Sequence, residues 1–198
     1  MDDEPRSPRA RQRREQILDA ASACFARDGF HGASIAQISK QAGMSPGHIY
    51  HFFDNKEAIV AGIVERMAAR WLELLEPYPT DVDVVATIVD RATRALAERT
   101  RPDFVGLWLE VLAETARNAT VSRAVGAVDQ RIRAAVTDQV RFIRAARGVR
   151  SETSLDAIVE VVLALYEGLS NRAAINRKFN RDGLREVLLR VTYAALEA

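Results

Sequence analysis

The sequence predicts an all-α chain, a small three-helix N-terminal head joined to a larger helical C-terminal body. Three observations carry that expectation. Residues 34–53 hold two short, capped helical segments around a glycine. Apolar residues from Ala58 onward recur at helical spacing without strand-like alternation. Breakers interrupt that pattern at Pro77-Tyr78-Pro79, Arg101-Pro102, Asn118-Ala119-Thr120, Gly148 and 180–183.

Taken in order, Met1 to Pro8 contains Pro5, Ser7 and Pro8 with no apolar anchor after Met1, and is expected to be a disordered arm. Arg6, Arg9 and Arg11 would lie in or beside it. Arg11 to Asp28 reads as an amphipathic helix with Ile17, Leu18, Ala21, Cys24 and Phe25 on one stripe, closed by Gly29. Ser34, three residues before Gln37, signals a capping box, and Ile35 and Ile38 supply the next helix with apolar contacts. Gly43 ends that helix where a positive φ is needed. Ser45 caps again, Pro46 takes the first helical position, and Ile49, Phe52 and Phe53 anchor the third helix.

Helix, glycine turn and helix is the arrangement of a helix-turn-helix DNA reader. With Ile49, Phe52 and Phe53 inward, the outward set is Pro46, Gly47, His48, Tyr50 and His51. Imidazoles can meet base edges in a major groove, whereas a tyrosine hydroxyl and the N–H groups of a helix start suit phosphate oxygens. Asp54 or Asn55 is expected to cap the following helix, with Lys56 in its first turn, where a cation opposes the helix dipole but suits a phosphate.

Charge agrees with this placement. Residues 5–56 carry eight basic and four acidic side chains, a local net of +4 in a chain whose total is +1. The 198 residues, 48% of them hydrophobic, suffice for a sizeable core. A single cysteine excludes an internal disulfide. The absence of an apolar leader or long apolar run leads us to expect a cytoplasmic protein with no membrane association. His31, His48 and His51 all fall in the head, and the body from residue 58 has no histidine or cysteine, so neither a metal, a cofactor nor a catalytic centre is expected.

In the body the expected helices are 55–76, 81–99, 103–117, 121–146, 154–177 and 183–196. The last two are apolar around most of their circumference and are expected to form a homodimer interface through Leu155, Val159, Val162, Leu169, Leu184, Leu188 and Val191, the alternative being that they only complete the core of one chain. Phe104, Trp108, Val111, Leu112 and Thr115 share a helix face. Glu110 and Glu114, one turn apart, could attract a cationic ligand, although Arg117 at i+3 favours a solvated ion pair.

The run from Gly29-Phe30 through Ser34, Ile38 and Ala42-Gly43-Met44-Ser45 to Ile49-Tyr50-His51-Phe52-Phe53-Asp54-Asn55-Lys56-Glu57 resembles the TetR family of bacterial transcriptional regulators. Tyr-x-x-Phe-x-x-Lys-Glu is its most specific part. Leu107 to Glu114 and Tyr166-Glu167-Gly168-Leu169 are similar to the effector domain of the choline-sensing BetI-type branch, a domain that occurs in regulators of many different effectors. By position the resemblance implies phosphate contacts at Ser34, Tyr50 and Lys56 and base contacts at Pro46, Gly47, His48 and His51, with Ser45 completing the DNA-contacting set. Ser39 departs from the usual alanine, and the His48/His51 pair is an uncommon base-reading set.

The resemblance further implies a palindromic DNA operator as partner and a small-molecule effector pocket, with Trp71, Phe142 and Tyr166 joining the five residues of the Phe104–Thr115 face. The expected division is an arm at 1–8, a helix-turn-helix domain at 9–57 and an effector-binding and dimerisation domain at 58–198. The function implied is a homodimeric repressor released from DNA by its effector. A nucleoid-type DNA binder without an effector and an all-helical enzyme remain as alternatives.

Overall fold

A computed structural model describes residues 7–77, 83–150, 152–176 and 178–197. Their regular structure is helical throughout: α1 (Pro8–Gly32), α2 (Ile35–Ala42), α3 (Pro46–Phe52), α4 (Lys56–Glu73), α5 (Val84–Arg99), α6 (Pro102–Thr115), α7 (Ala119–Arg147), α8 (Leu155–Ile175) and α9 (Arg181–Glu197). Most of the expected arm, residues 1–6, lies outside the described residues, as do residues 81 and 82 at the expected start of the fifth helix. Ser7 accepts a hydrogen bond from Ala10 N, so α1 starts at Pro8, earlier than its apolar stripe indicates.

The predicted caps are present. Ser34 and Gln37 form the reciprocal capping box of α2, Gly43 ends that helix at φ 64°, and the Ser45 side chain accepts from His48 N at the start of α3. Of the two candidates before α4, Asn55 is the cap, accepting from Ala58 N at 2.8 Å. Ser39, where alanine is usual, is buried and donates to Ala36 O at 3.0 Å, which satisfies the hydroxyl inside the helix.

Contacts divide the chain into two units, Met1–Met67 with Gly106–Ala127 and Ala68–Val105 with Val128–Ala198. The first therefore extends past the expected head boundary at residue 57. Ile59, Val60, Ile63 and Val64 of α4 are buried with Ile17, Leu18, Phe25, Ile38 and Ile49. Arg66 also ties α4 to α1, donating to Asp19 at 2.6 Å and to Ser22 at 3.0 Å.

In the second unit α5 packs against α8 and α9, which also pack on each other. Its core includes Ile88, Leu96, Val136, Val140, Val159 and Leu188. Val159 and Leu188, expected at a dimer interface, are thus core residues, and Leu155, Leu169 and Leu184 are half-buried. Among the described residues, the large apolar side chains left outside on α8 and α9 are Val161, Ile175, Val187 and Val191, 55%, 71%, 56% and 43% exposed. Period alone cannot separate the two faces of a helix that is apolar all round. No described helix is long and apolar enough to cross a membrane.

Candidate nucleic-acid interface and ligand cavity

The three-helix head presents one polar face. Ile49 is fully buried beneath α3, and this fixes which side of a seven-residue helix looks outward. Pro46, Gly47, His48 and His51 are exposed on it, and Tyr50 is 52% exposed. The His48 and His51 rings lie 6.4 Å apart, with Phe52 packed 5.5 Å from the first and 5.2 Å from the second. Phe52 therefore limits the rotamers of both imidazoles. The Ser34 and Ser45 hydroxyls are exposed while serving as caps. Geometry of this kind can offer ring nitrogens and a phenol to a groove without ordering new backbone.

Lys56 sits differently from its neighbours. Its half-buried ammonium donates to Phe30 O at 2.6 Å and Ala33 O at 2.9 Å and lies 4.3 Å from the centre of the Phe30 ring. Two of its three donors are thus committed to the corner between α1 and α2.

That corner is built on Gly29, whose φ of 71° and ψ of 168° kink the end of α1. Only glycine occupies such backbone freely. The turned-out Phe30 N–H donates to Glu110 Oε2 at 3.2 Å, and His31 Nε2 lies 3.0 Å from Glu114 Oε1. Glu114 is 3% exposed and also meets Arg117 at 3.4 Å. The expected ion pair with Arg117 thus forms at Glu114, but on a buried carboxylate, and Glu110 and Glu114 together also grip the corner of the head. An 80-residue separation between Phe30 and Glu110 hides this from any local pattern. At Gly29 an added Cβ would lie 3.3 Å from Glu110 Oε2 on backbone that disfavours it. Gly29→Ala is expected to cost ~1–3 kcal/mol, read as a lower unfolding midpoint together with weaker DNA binding.

The second unit contains a cavity of about 90 Å³. Trp71, Leu74, Ile88, Val140, Leu163 and Tyr166 supply apolar wall, and Arg91, Gln139 and Thr192 supply polar groups. Of the residues expected to line a pocket, Trp71 and Tyr166 do so, with their rings edge to face at 5.7 Å. Trp108, Val111, Leu112 and Thr115 belong to the first unit, where Val111 lines a small hollow beside Phe25 and Phe30. Leu112 and Phe142 are exposed. Phe104 lies under the Arg99 guanidinium and does not line the cavity. Sharing one face of α6 did not put these side chains at one site, because α6 passes from one unit to the other.

Val162, expected at the dimer interface, lines the cavity. Gln139 accepts from Arg91 Nη1 at 2.8 Å and donates to Leu75 O at 3.1 Å and Glu76 O at 3.3 Å, holding the chain just beyond α4. Burial pushes the Tyr166 phenol up to about 12. Thr192 lies near enough to oppose that rise without its hydroxyl closing a hydrogen bond.

Comparison with known proteins places these features in a family. Residues 17–63 match the family described as "Bacterial regulatory proteins, tetR family" and residues 84–197 match "BetI-type transcriptional repressor, C-terminal". The HTH-type transcriptional regulator UidR of Escherichia coli K12 is 36% identical over 117 residues, which is 57% of this chain and 57% of UidR. The match thus spans little more than half the length of that relative. The HTH-type transcriptional repressor Rv1474c of Mycobacterium tuberculosis is 30% identical over 174 residues, 82% of either chain. Among solved structures, Salmonella enterica GusR superposes with a TM-score of 0.80 at 25% identity, covering 98% of this chain and all of GusR.

Proposed function

The chain belongs to the TetR family of bacterial regulatory proteins, and from that premise we propose that it is a homodimeric transcriptional repressor that leaves a palindromic operator when a small molecule enters the cavity of its second unit. The relatives are named as regulators and repressors, and the role proposed is correspondingly non-enzymatic. The observation that carries the reading is the doubly capped helix-turn-helix with His48, Tyr50 and His51 presented to solvent over a buried Ile49.

In this reading His48 and His51 read base edges, with Pro46 and Gly47 keeping the helix start free of bulk. Ser34, Ser45 and Tyr50 contact phosphates. The exposed valines and Ile175 of α8 and α9 meet a second copy, so that two α3 helices address half-sites about one DNA turn, ~34–36 Å, apart. Trp71, near the C-terminal end of α4, lines the cavity, and Lys56 is the first residue of the same helix. A ligand that moves Trp71 or Gln139 therefore acts on the end of a continuous helix whose start holds the α1–α2 corner. Tenfold to hundredfold release requires ~1.4–2.8 kcal/mol of preference for the DNA-incompetent state.

Selection of bound duplexes from a randomised library at fixed salt tests the proposal. A palindrome with two half-sites one turn apart is the expected result, and recovery of no motif by folded dimer would favour a nonspecific binder. His48→Ala is expected to change the preferred sequence, whereas Tyr50→Phe weakens binding to all duplexes alike. An unchanged preference in the His48 variant removes that residue from the base-reading set.

A further inference from the structure

We infer that the effector cavity takes a small, uncharged, single-ring-sized molecule, and that it discriminates against cationic ligands such as quaternary ammonium compounds. The inference rests on the effector reading above and deepens it.

Size comes first. At about 90 Å³ the cavity is closer to the ~150 Å³ space known to admit a benzene ring than to the ~300–1,000 Å³ of pockets for drug-sized ligands. Charge comes second. Among the described lining residues there is no aspartate or glutamate, and the one ionic side chain among them, Arg91, is itself a cation. A bound cation would find no counter-charge in that described wall.

The third observation concerns the aromatic face that a cation would need. Trp71 is the strongest candidate for cation–π capture, and the chain's own Arg99 already stacks on it, its guanidinium carbon 4.4 Å from the ring centre. Arg99 is 7% exposed, also lies over Phe104, and is desolvated enough to lower its pKa against the opposing pull of Glu167. Arg99 is not among the described lining residues, but its charge beside the indole disfavours a second cation on the same ring. Tyr166 packs edge to face with that indole.

A fourth observation concerns desolvation. The wall is built largely from Leu, Ile, Val and Ala side chains with the Trp71 and Tyr166 rings, and a charge carried into such surroundings is costly to strip of its water, whereas a neutral ring is not.

Two probes of nearly equal shape test this in the unmodified protein: toluene, which is neutral, and benzylammonium. By calorimetry and thermal melting, toluene is expected to bind and benzylammonium to bind at least tenfold more weakly. In Ala92→Phe, which fills the cavity from its wall, toluene should lose binding. Benzylammonium binding as tightly as toluene overturns the inference, as does failure of the folded wild type to bind toluene.

Operator affinity, measured in parallel, distinguishes this inference from the reading it rests on. Neutral-probe binding that leaves DNA affinity unchanged sinks ligand-controlled release and supports the ligand class. Release of DNA by benzylammonium bound in the cavity does the reverse.

Discussion

Val187→Asp combined with Val191→Asp is expected to convert the dimer to monomer and lower operator affinity by ~10²-fold or more, because two half-site contacts cease to be linked. Both valines lie on the outer side of α9 and are exposed in the chain, so the substitutions disturb no core contact. In the proposed dimer they would put four carboxylates into an apolar interface, each costing several times what a lost valine contact costs. Sedimentation gives the mass, and melting of the monomer shows whether the fold is intact. A double variant that stays dimeric and binds the operator normally would move the interface elsewhere. Leu188→Asp is the instructive contrast. Leu188 is 5% exposed inside the second unit, so its replacement should unfold that unit instead of dissociating intact chains.

Lys56→Ala carries the second largest expected effect. Losing an ammonium that donates to Phe30 O and Ala33 O should cost ~1.5–3 kcal/mol, with a further ~0.5–1 kcal/mol from the Phe30 ring. The corner it holds orients α2, and α2 in turn sets the turn into α3. Binding to every duplex should therefore weaken together with the stability of the head. A lysine acting only on phosphate would behave differently, leaving the melting midpoint unchanged and reducing the salt slope by about one unit. Measuring the midpoint and the salt slope on the same variant separates the positioning role from the phosphate contact, and a normal midpoint would reject the former.

Much of the head was legible because its information is local. Ser34 with Gln37, Gly43, and Ser45 with Pro46 each act within four residues, and the structure has the capping box, the left-handed turn and the second cap at those positions. Helical periodicity likewise identified the described body helices, though the starts of α1, α5, α7 and α9 differ by two to three residues from those expected. Capping by Ser7 explains the first of these.

What the sequence by itself determined is therefore the all-α class, the helix-turn-helix and the outward set on α3, since each follows from short-range hydrogen bonding or from one buried anchor per turn. Tertiary structure decided which apolar residues of α8 and α9 face the core, because a helix apolar all round has no sequence-encoded inside. It also decided that α6 serves the first unit through Glu110 and Glu114, that Lys56 holds backbone carbonyls 23 and 26 residues away, and that Arg99 covers the indole lining the cavity. Those assignments depend on which groups meet after the chain has packed, and contact between distant residues leaves no period or spacing to read.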